Sequence, residues 1–175
     1  MATGRLSAAD IRRLLTMLDA ELAAVDASGE LFLVGGAVMC LALGARDATR
    51  DVDAMFRPTR VVREAAARVA AKADVPPAWL NDAVKGFLSP KGDFVPYMEL
   101  ANLRVFTADP RYLLAMKCAA MRLGAGFQDL DDVRFLLRYL NITSAKEALE
   151  IVTRYFDERS LAPKTRLALE ELLGR

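Results

Sequence analysis

The chain has 175 residues, of which 54% are hydrophobic and 27% charged, with a formal net charge of +1; this suits one compact domain, or a domain with a helical annex, and excludes a disordered or low-complexity chain. It has two cysteines and no histidine. That composition excludes Ser-His-Asp and Cys-His catalysis, His-ligated zinc and an imidazole general base, so any chemistry falls to carboxylates, Lys, Arg and hard metals.

No signal sequence opens the chain, and no apolar run approaches membrane-spanning length. Cys40 and Cys118 sit in apolar helical contexts and read as reduced, buried thiols. The expectation is a cytoplasmic protein with no membrane partner. Charge is uneven along the chain: Arg57 to Lys91 holds seven Lys/Arg against three Asp/Glu, and Asp129 to Glu158 holds four against seven. The basic stretch either faces phosphates or forms an ordinary solvated helix face.

Ser7, with Asp10 at the third helical position, predicts a capped N-terminus for an amphipathic helix carrying Ile11, Leu14, Leu15, Leu18, Leu22 and Val25. The turn Asp26–Gly29 ends it. Leu31–Val34 reads as a short buried strand, Gly35-Gly36 as its end, and Ala37–Leu43 as a short helix closed by Gly44. In Arg50–Phe56, Val52, Ala54 and Phe56 point to one side of a strand and Asp51, Asp53 and Met55 to the other. Thr59 caps a helix running to about Lys72, which Pro76-Pro77 breaks; Trp79–Val84 reads as a short helix before a loop to Pro90. Phe94–Leu100 and Leu103–Phe106 read as two strands joined at Ala101-Asn102. Four helices follow, over Pro110–Leu123, Asp129–Leu140, Ser144–Phe156 and Pro163–Leu173. The expected class is α+β (mixed α/β): a small sheet flanked by helices, then a helical C-terminal extension.

The chemistry concentrates between Leu33 and Phe56. A buried strand runs into Gly-Gly, a helix follows, and a second strand carries two carboxylates on one face. Side chains two apart on a strand are roughly 6–7 Å apart at their bases. Asp51 and Asp53 so placed can hold Mg²⁺ shared with substrate phosphates, and the Gly-Gly turn lets a polyphosphate approach backbone N–H groups. Either motif alone has an ordinary explanation, a turn or an exposed strand edge; their order along the chain is what is specific. Lys117 is the only charge between Arg111 and Arg122 in an otherwise apolar helix. It either snorkels at the helix surface or binds phosphate. Asp129, Asp131 and Asp132 open the next helix, where acids also serve as ordinary caps.

Gly35-Gly36 followed by Arg46-x-x-Thr49-x-Asp51-Val52-Asp53 resembles the signature of the DNA polymerase β-type nucleotidyltransferase superfamily. With Trp79–Phe87, Tyr112–Lys117 and Asp129–Asp132 added, most of the chain resembles the small DUF6036-type nucleotidyltransferases, relatives of the AbiEii toxins of toxin–antitoxin loci. Gly36 departs from the serine found in many relatives. The resemblance implies a nucleotidyltransferase core over residues 1–108 and a helical region over 109–175 packed on it. It implies Mg²⁺ on Asp51 and Asp53, with Glu99 as a third metal carboxylate or a plain exposed strand residue. Lys117 and Asp129 would join the catalytic set. Gly35, Gly36, Arg46, Thr49, Asn81 and Lys85 would contact substrate; for Asn81 and Lys85 the alternatives are a helix cap and a solvated loop. The reaction implied moves a nucleoside monophosphate from a nucleoside triphosphate to an acceptor such as the tRNA 3′ end, in a toxin with a cognate antitoxin protein. Nucleotidylation of a partner protein and a catalytically silent nucleotide-binding module are the alternatives.

Overall fold

The structure, a computed structural model, describes residues 4–121 and 129–174. The chain forms two compact units. One comprises the chain up to Gly86 together with Phe94–Ala108; the other comprises Phe87–Asp93 together with the chain from Asp109 onward. The architecture is mixed α/β, with sheets confined to the first unit.

In the first unit, α1 (Ala8–Ala24) is started by a complete capping box: the Ser7 hydroxyl accepts from Asp10 N at 3.1 Å, and Ser7 N donates to the Asp10 carboxylate at 2.9 Å. Its buried stripe is Ile11, Leu14, Leu15, Leu18 and Leu22, all with no exposed surface. That stripe meets α3 (Thr59–Ala73), whose inward residues Val62, Ala65, Ala66, Val69 and Ala70 are small enough for close approach. Thr59 is the first residue of α3 rather than its cap; its hydroxyl donates to Phe56 O.

The main sheet comprises β2 (Gly29–Val34), β4 (Val52–Arg57), β5 (Leu80–Asn81), β6 (Phe94–Glu99) and β7 (Leu103–Ala108), in the order β5-β4-β2-β7-β6. β2 is central, antiparallel to β4 and parallel to β7. Leu31, Leu33, Val52, Ala54, Leu103 and Val105 alternate onto the buried face. A separate two-stranded pairing joins β1 (Leu6–Ser7) to β3 (Ala48–Thr49). Between β2 and β3 lies α2 (Gly35–Leu41), which starts at Gly35 itself and not at Ala37. The segment expected as a helix over Trp79–Val84 is instead a 3-10 turn at Pro77–Trp79, the short strand β5, and a second 3-10 turn at Ala83–Phe87. Trp79 is buried and donates its indole N–H to Ala66 O at 3.0 Å, which pins β5 along β4.

The second unit is helical: α4 (Pro110–Ala119), α5 (Asp129–Tyr139), α6 (Ala145–Tyr155) and α7 (Pro163–Leu173). α4 ends at Ala119, and the last two residues of the helix expected over Pro110–Leu123 lie outside the described residues. Asp109 caps α4 by accepting from Arg111 N at 2.9 Å, with Pro110 in the first turn where its missing N–H costs nothing. Tyr112, Leu113, Leu114, Ala115 and Cys118 bury the core face of α4. The segment Phe87–Asp93 belongs to this unit because its polar groups are satisfied there: Ser89 N donates to Tyr112 Oη at 3.0 Å, and Tyr155 Oη donates to Asp93 at 2.8 Å.

One ion cluster ties α1 to α3. The Glu21 side chain is 8% exposed, accepts from Arg68 Nε at 2.9 Å, and pairs with the Lys72 ammonium. The Lys72 ammonium, and after it the Arg68 guanidinium, hold the Glu21 carboxyl below its ordinary range. Glu21→Gln is expected to lower stability at neutral pH by about 1 kcal/mol in urea unfolding. A depressed folded-state pKa contributes stability that is present above the unfolded-state value and is lost as pH falls through the folded value. The gap between wild type and variant should therefore close in acid, and a gap that persists there would show that the charge on Glu21 is not the source.

Candidate active site

β4 starts at Val52, so Asp53 is a strand residue and Asp51 sits immediately before the strand rather than within it. The alternation of the segment is as its sequence dictates: Val52, Ala54 and Phe56 are buried, while Asp53 and Met55 are half-buried on the opposite face. Asp53 pairs in register with Val34, the last residue of β2, and on its other side with Asn81 of β5. It therefore lies directly beside the turn from β2 into α2.

That turn is built on Gly35, whose φ of +64° is a left-handed conformation. A Cβ on Gly35 would lie 3.3 Å from Asp53 Oδ2. A Cβ on Gly36 would lie 2.6 Å from Thr49 Oγ1 and 2.8 Å from Arg46 Nη1. Thr49 is held in β3, is 7% exposed, and donates to Asp51 O over 3.4 Å. Asn81 Nδ2 donates to Asp51 Oδ2 at 3.2 Å, so the residue that flanks Asp53 in the sheet also holds Asp51. Burial raises the Asp51 pKa above its ordinary value, opposed by the Asn81 hydrogen bond and the Arg50 charge. Asp51, Asp53, Gly35, Gly36, Arg46, Thr49 and Asn81 thus form one constellation, assembled from the start of α2, β3, β4, β5 and the loops before β3 and β4.

The donor set of this constellation is two carboxylates with neighbouring amide and hydroxyl oxygens, hard ligands of the kind Mg²⁺ takes. Among the described residues no group of three or more Asp, Glu or Cys side chains is placed to hold a metal ion. A metal here would draw two ligands from the protein and the others from water and phosphate, the usual division for Mg²⁺.

One residue expected at the site, Glu99, is elsewhere. Glu99 pairs with Arg104, which is level with Glu30 and Arg57 at the opposite end of the sheet from Asp53. Four residues of strand rise and three strand spacings separate them, on the order of 15–20 Å. Glu99 lines a hollow of about 490 Å³ with Ser28, Glu30, Arg57, Asn102 and Arg104. Lys85 is exposed and pairs with Asp82 at 3.3 Å; Asp82 also takes Arg63 at 2.7 Å. This trio is a surface ion cluster.

In the helical unit, Lys117 of α4 lies between two acids of α5. Its ammonium is 2.8 Å from Asp132 Oδ2 and 3.5 Å from Asp129 Oδ1, with side-chain exposures of 13% for Lys117, 5% for Asp132 and 25% for Asp129. Asp132 is thus the close partner, a role not given to it by the sequence reading. The signal was present: Asp132 shares its helix face with Val133, Leu136 and Leu137, all buried.

Comparison with protein-family models, with characterised proteins and with solved structures finds no match to this chain.

Asp132→Asn should destabilise the protein by about 2 kcal/mol, because it leaves the half-buried Lys117 ammonium with only its longer contact to Asp129. Asp129→Asn should cost no more than about 1 kcal/mol, its contact being longer and wetter. Urea unfolding of both variants, of Lys117→Met, and of the Asp132→Asn, Lys117→Met double variant checks this. The double variant should recover part of the loss, and strict additivity would show that Asp132 acts through another contact.

Proposed function

We propose that this protein is a Mg²⁺-dependent nucleotidyltransferase that moves a nucleoside monophosphate from a nucleoside triphosphate to an acceptor hydroxyl and releases pyrophosphate. The observation that carries the reading is the convergence of Asp53, Arg46 and Thr49 on a strand-to-helix turn that has no side chains of its own, with Asp51 held by Asn81, the strand neighbour of Asp53. Carboxylates packed against exposed backbone, with a guanidinium beside them, suit a polyphosphate accompanied by a cation better than they suit a neutral ligand. The motif order around the turn is what resembles the nucleotidyltransferase signature.

In this reading Asp51 and Asp53 hold the metal. A Mg²⁺ ion held by these two carboxylates would supply positive charge to the phosphates of the nucleoside triphosphate. Asn81 orients Asp51, and Arg46 places a permanent positive charge beside the polyphosphate. The resemblance also implies Lys117 and Asp129 as catalytic residues; in the helical unit they pair with one another. The acceptor of this reading is RNA, with the tRNA 3′ end the first to test and a toxin-like role following from it.

Incubation of the full chain with each α-labelled nucleoside triphosphate, Mg²⁺ and total tRNA should label the RNA. Asp53→Ala should lower the rate about 10²–10³-fold, since a metal site supplies several kcal/mol of transition-state stabilisation. It should unfold at nearly the wild-type urea concentration, Asp53 lying on the less buried strand face. Label on a co-expressed partner protein alone would move the acceptor from RNA to protein. Full activity in Asp53→Ala would overturn the assignment of the site.

A further inference from the structure

In the helical unit, α5 carries aromatic rings and arginines on its outer side. Asp132, Phe135 and Tyr139 follow one another at helical spacing, so they lie along one side of the helix. That line starts at the Lys117 ammonium, 2.8 Å from Asp132, and ends in solvent, where Tyr139 is 52% exposed. The Phe135 and Tyr139 rings stack with centroids 6.0 Å apart and an interplanar angle of 19°. Arg134 and Arg138, four residues apart and both exposed, form a second row beside the rings. Arg134 meets only the exposed Asp131, at 3.3 Å, and Arg138 has no ion pair among the described residues. A stacked pair and a cation in the last turn also support a helix by themselves. Neither role requires Tyr139 to stand in water on the same turn as an arginine without an acid.

We infer that this face of α5 binds the single-stranded segment next to the reacting end of the acceptor RNA, with a base stacked on Tyr139 and phosphates on Arg134 and Arg138. The inference rests on the RNA acceptor of the proposed function and deepens it. Every unpaired nucleotide offers a flat π-face and an anion, which aromatic rings interleaved with guanidiniums match. A duplex hides the faces of its bases, so it meets the charges alone. The rise of α5 puts Tyr139 roughly 10 Å along the axis from Asp132. Nucleotides adjoining an end held at Lys117 and Asp129 therefore come within its reach. A protein partner would use the rings as an apolar anchor and would accept an aliphatic side chain in place of Tyr139.

The test is fluorescence anisotropy of the full chain with a labelled single-stranded RNA dodecamer, and with the same strand annealed to its complement, over a range of potassium chloride concentrations. Circular dichroism checks the fold of each variant. Wild type should bind the single strand at least about 10-fold more tightly than the duplex. Tyr139→Phe should stay within about 2-fold of wild type, because the ring is kept. Tyr139→Leu and Tyr139→Ala should each bind about 10-fold more weakly, the range of one base–aromatic stack. Arg138→Gln should lower the slope of log affinity against log salt by about 0.7, the loss of one phosphate contact on a single strand. Wild-type affinity in folded Tyr139→Ala and Arg138→Gln overturns the inference and leaves the nucleotidyltransferase reading standing. Equal affinity for single strand and duplex overturns it too. A chain that binds no RNA, and loses a co-expressed partner protein with Tyr139→Ala but not with Tyr139→Leu, overturns it in favour of protein docking. The expected variant pattern in a chain that transfers no nucleotide keeps the RNA-binding face and overturns the nucleotidyltransferase reading.

Discussion

The turn from β2 into α2 admits no side chains, and the geometry of the carboxylate constellation depends on that constraint. Gly35 turns the chain with φ at +64°, a conformation that costs other L-residues roughly 1–2 kcal/mol. It also brings the backbone to where a Cβ would lie 3.3 Å from Asp53 Oδ2. Gly36 does the same under Arg46 and Thr49. Each polar group is therefore positioned against main chain, whose place is set by the central strand, rather than against another side chain with its own rotamers. That is a more rigid reference than a loop provides, and it suits a site that must hold charges at fixed separation.

The register of β2 carries this constraint across the sheet. Because strand side chains alternate, a slip of one residue against β4 would turn Asp53 into the core and Ala54 out of it. The slip is opposed on both faces. Leu31 and Leu33 are fully buried on one. On the other, Phe32 stacks on Phe106 with ring centroids 5.0 Å apart, Phe94 meets Phe32 edge-on at 5.3 Å, and Arg57 lies over the Phe32 ring at 4.9 Å. Beyond the aromatic row, Glu30 pairs with Arg57 at 3.0 Å and Arg104 at 2.7 Å. That face thus runs from carboxylates, through aromatic rings, to a closed ion trio, and Glu99 belongs to the trio's end.

What was legible in the sequence follows the range of the interactions responsible. The capping box at Ser7, the alternation through Val52–Phe56 and the Gly-Gly turn are local patterns, and the structure forms them where their residues lie. Asn81 was named as a contact but placed in a helix. β5 is only two residues long and exists because it pairs in parallel with β4, an interaction no local pattern encodes. Glu99 was drawn to the site by its strand, yet the strand's register against β7 decides which end of the sheet it occupies, and register is not readable from an isolated strand. Asp132 was hidden in a run of acids that equally well caps a helix. The side that α5 turns to Lys117 separates it from Asp131, and its closer contact and deeper burial separate it from Asp129.

The basic stretch from Arg57 to Lys91 is reinterpreted by the same reasoning. Arg57 pairs with Glu30, Arg60 with Glu64, Arg63 and Lys85 with Asp82, and Arg68 and Lys72 with Glu21. Two of these four acids, Glu21 of α1 and Glu30 of β2, come from outside the stretch, so counting charge along the chain overstates the positive potential of the folded surface. A counterion-releasing interface needs cations whose charge is available to phosphates, and cations already neutralised by carboxylates contribute little to it. With a formal net charge of +1, the chain carries almost no net excess of cations to draw a polyanion from a distance. Selection of an RNA acceptor would therefore have to come from short-range contacts at the reacting end, and its dependence on salt would be shallow.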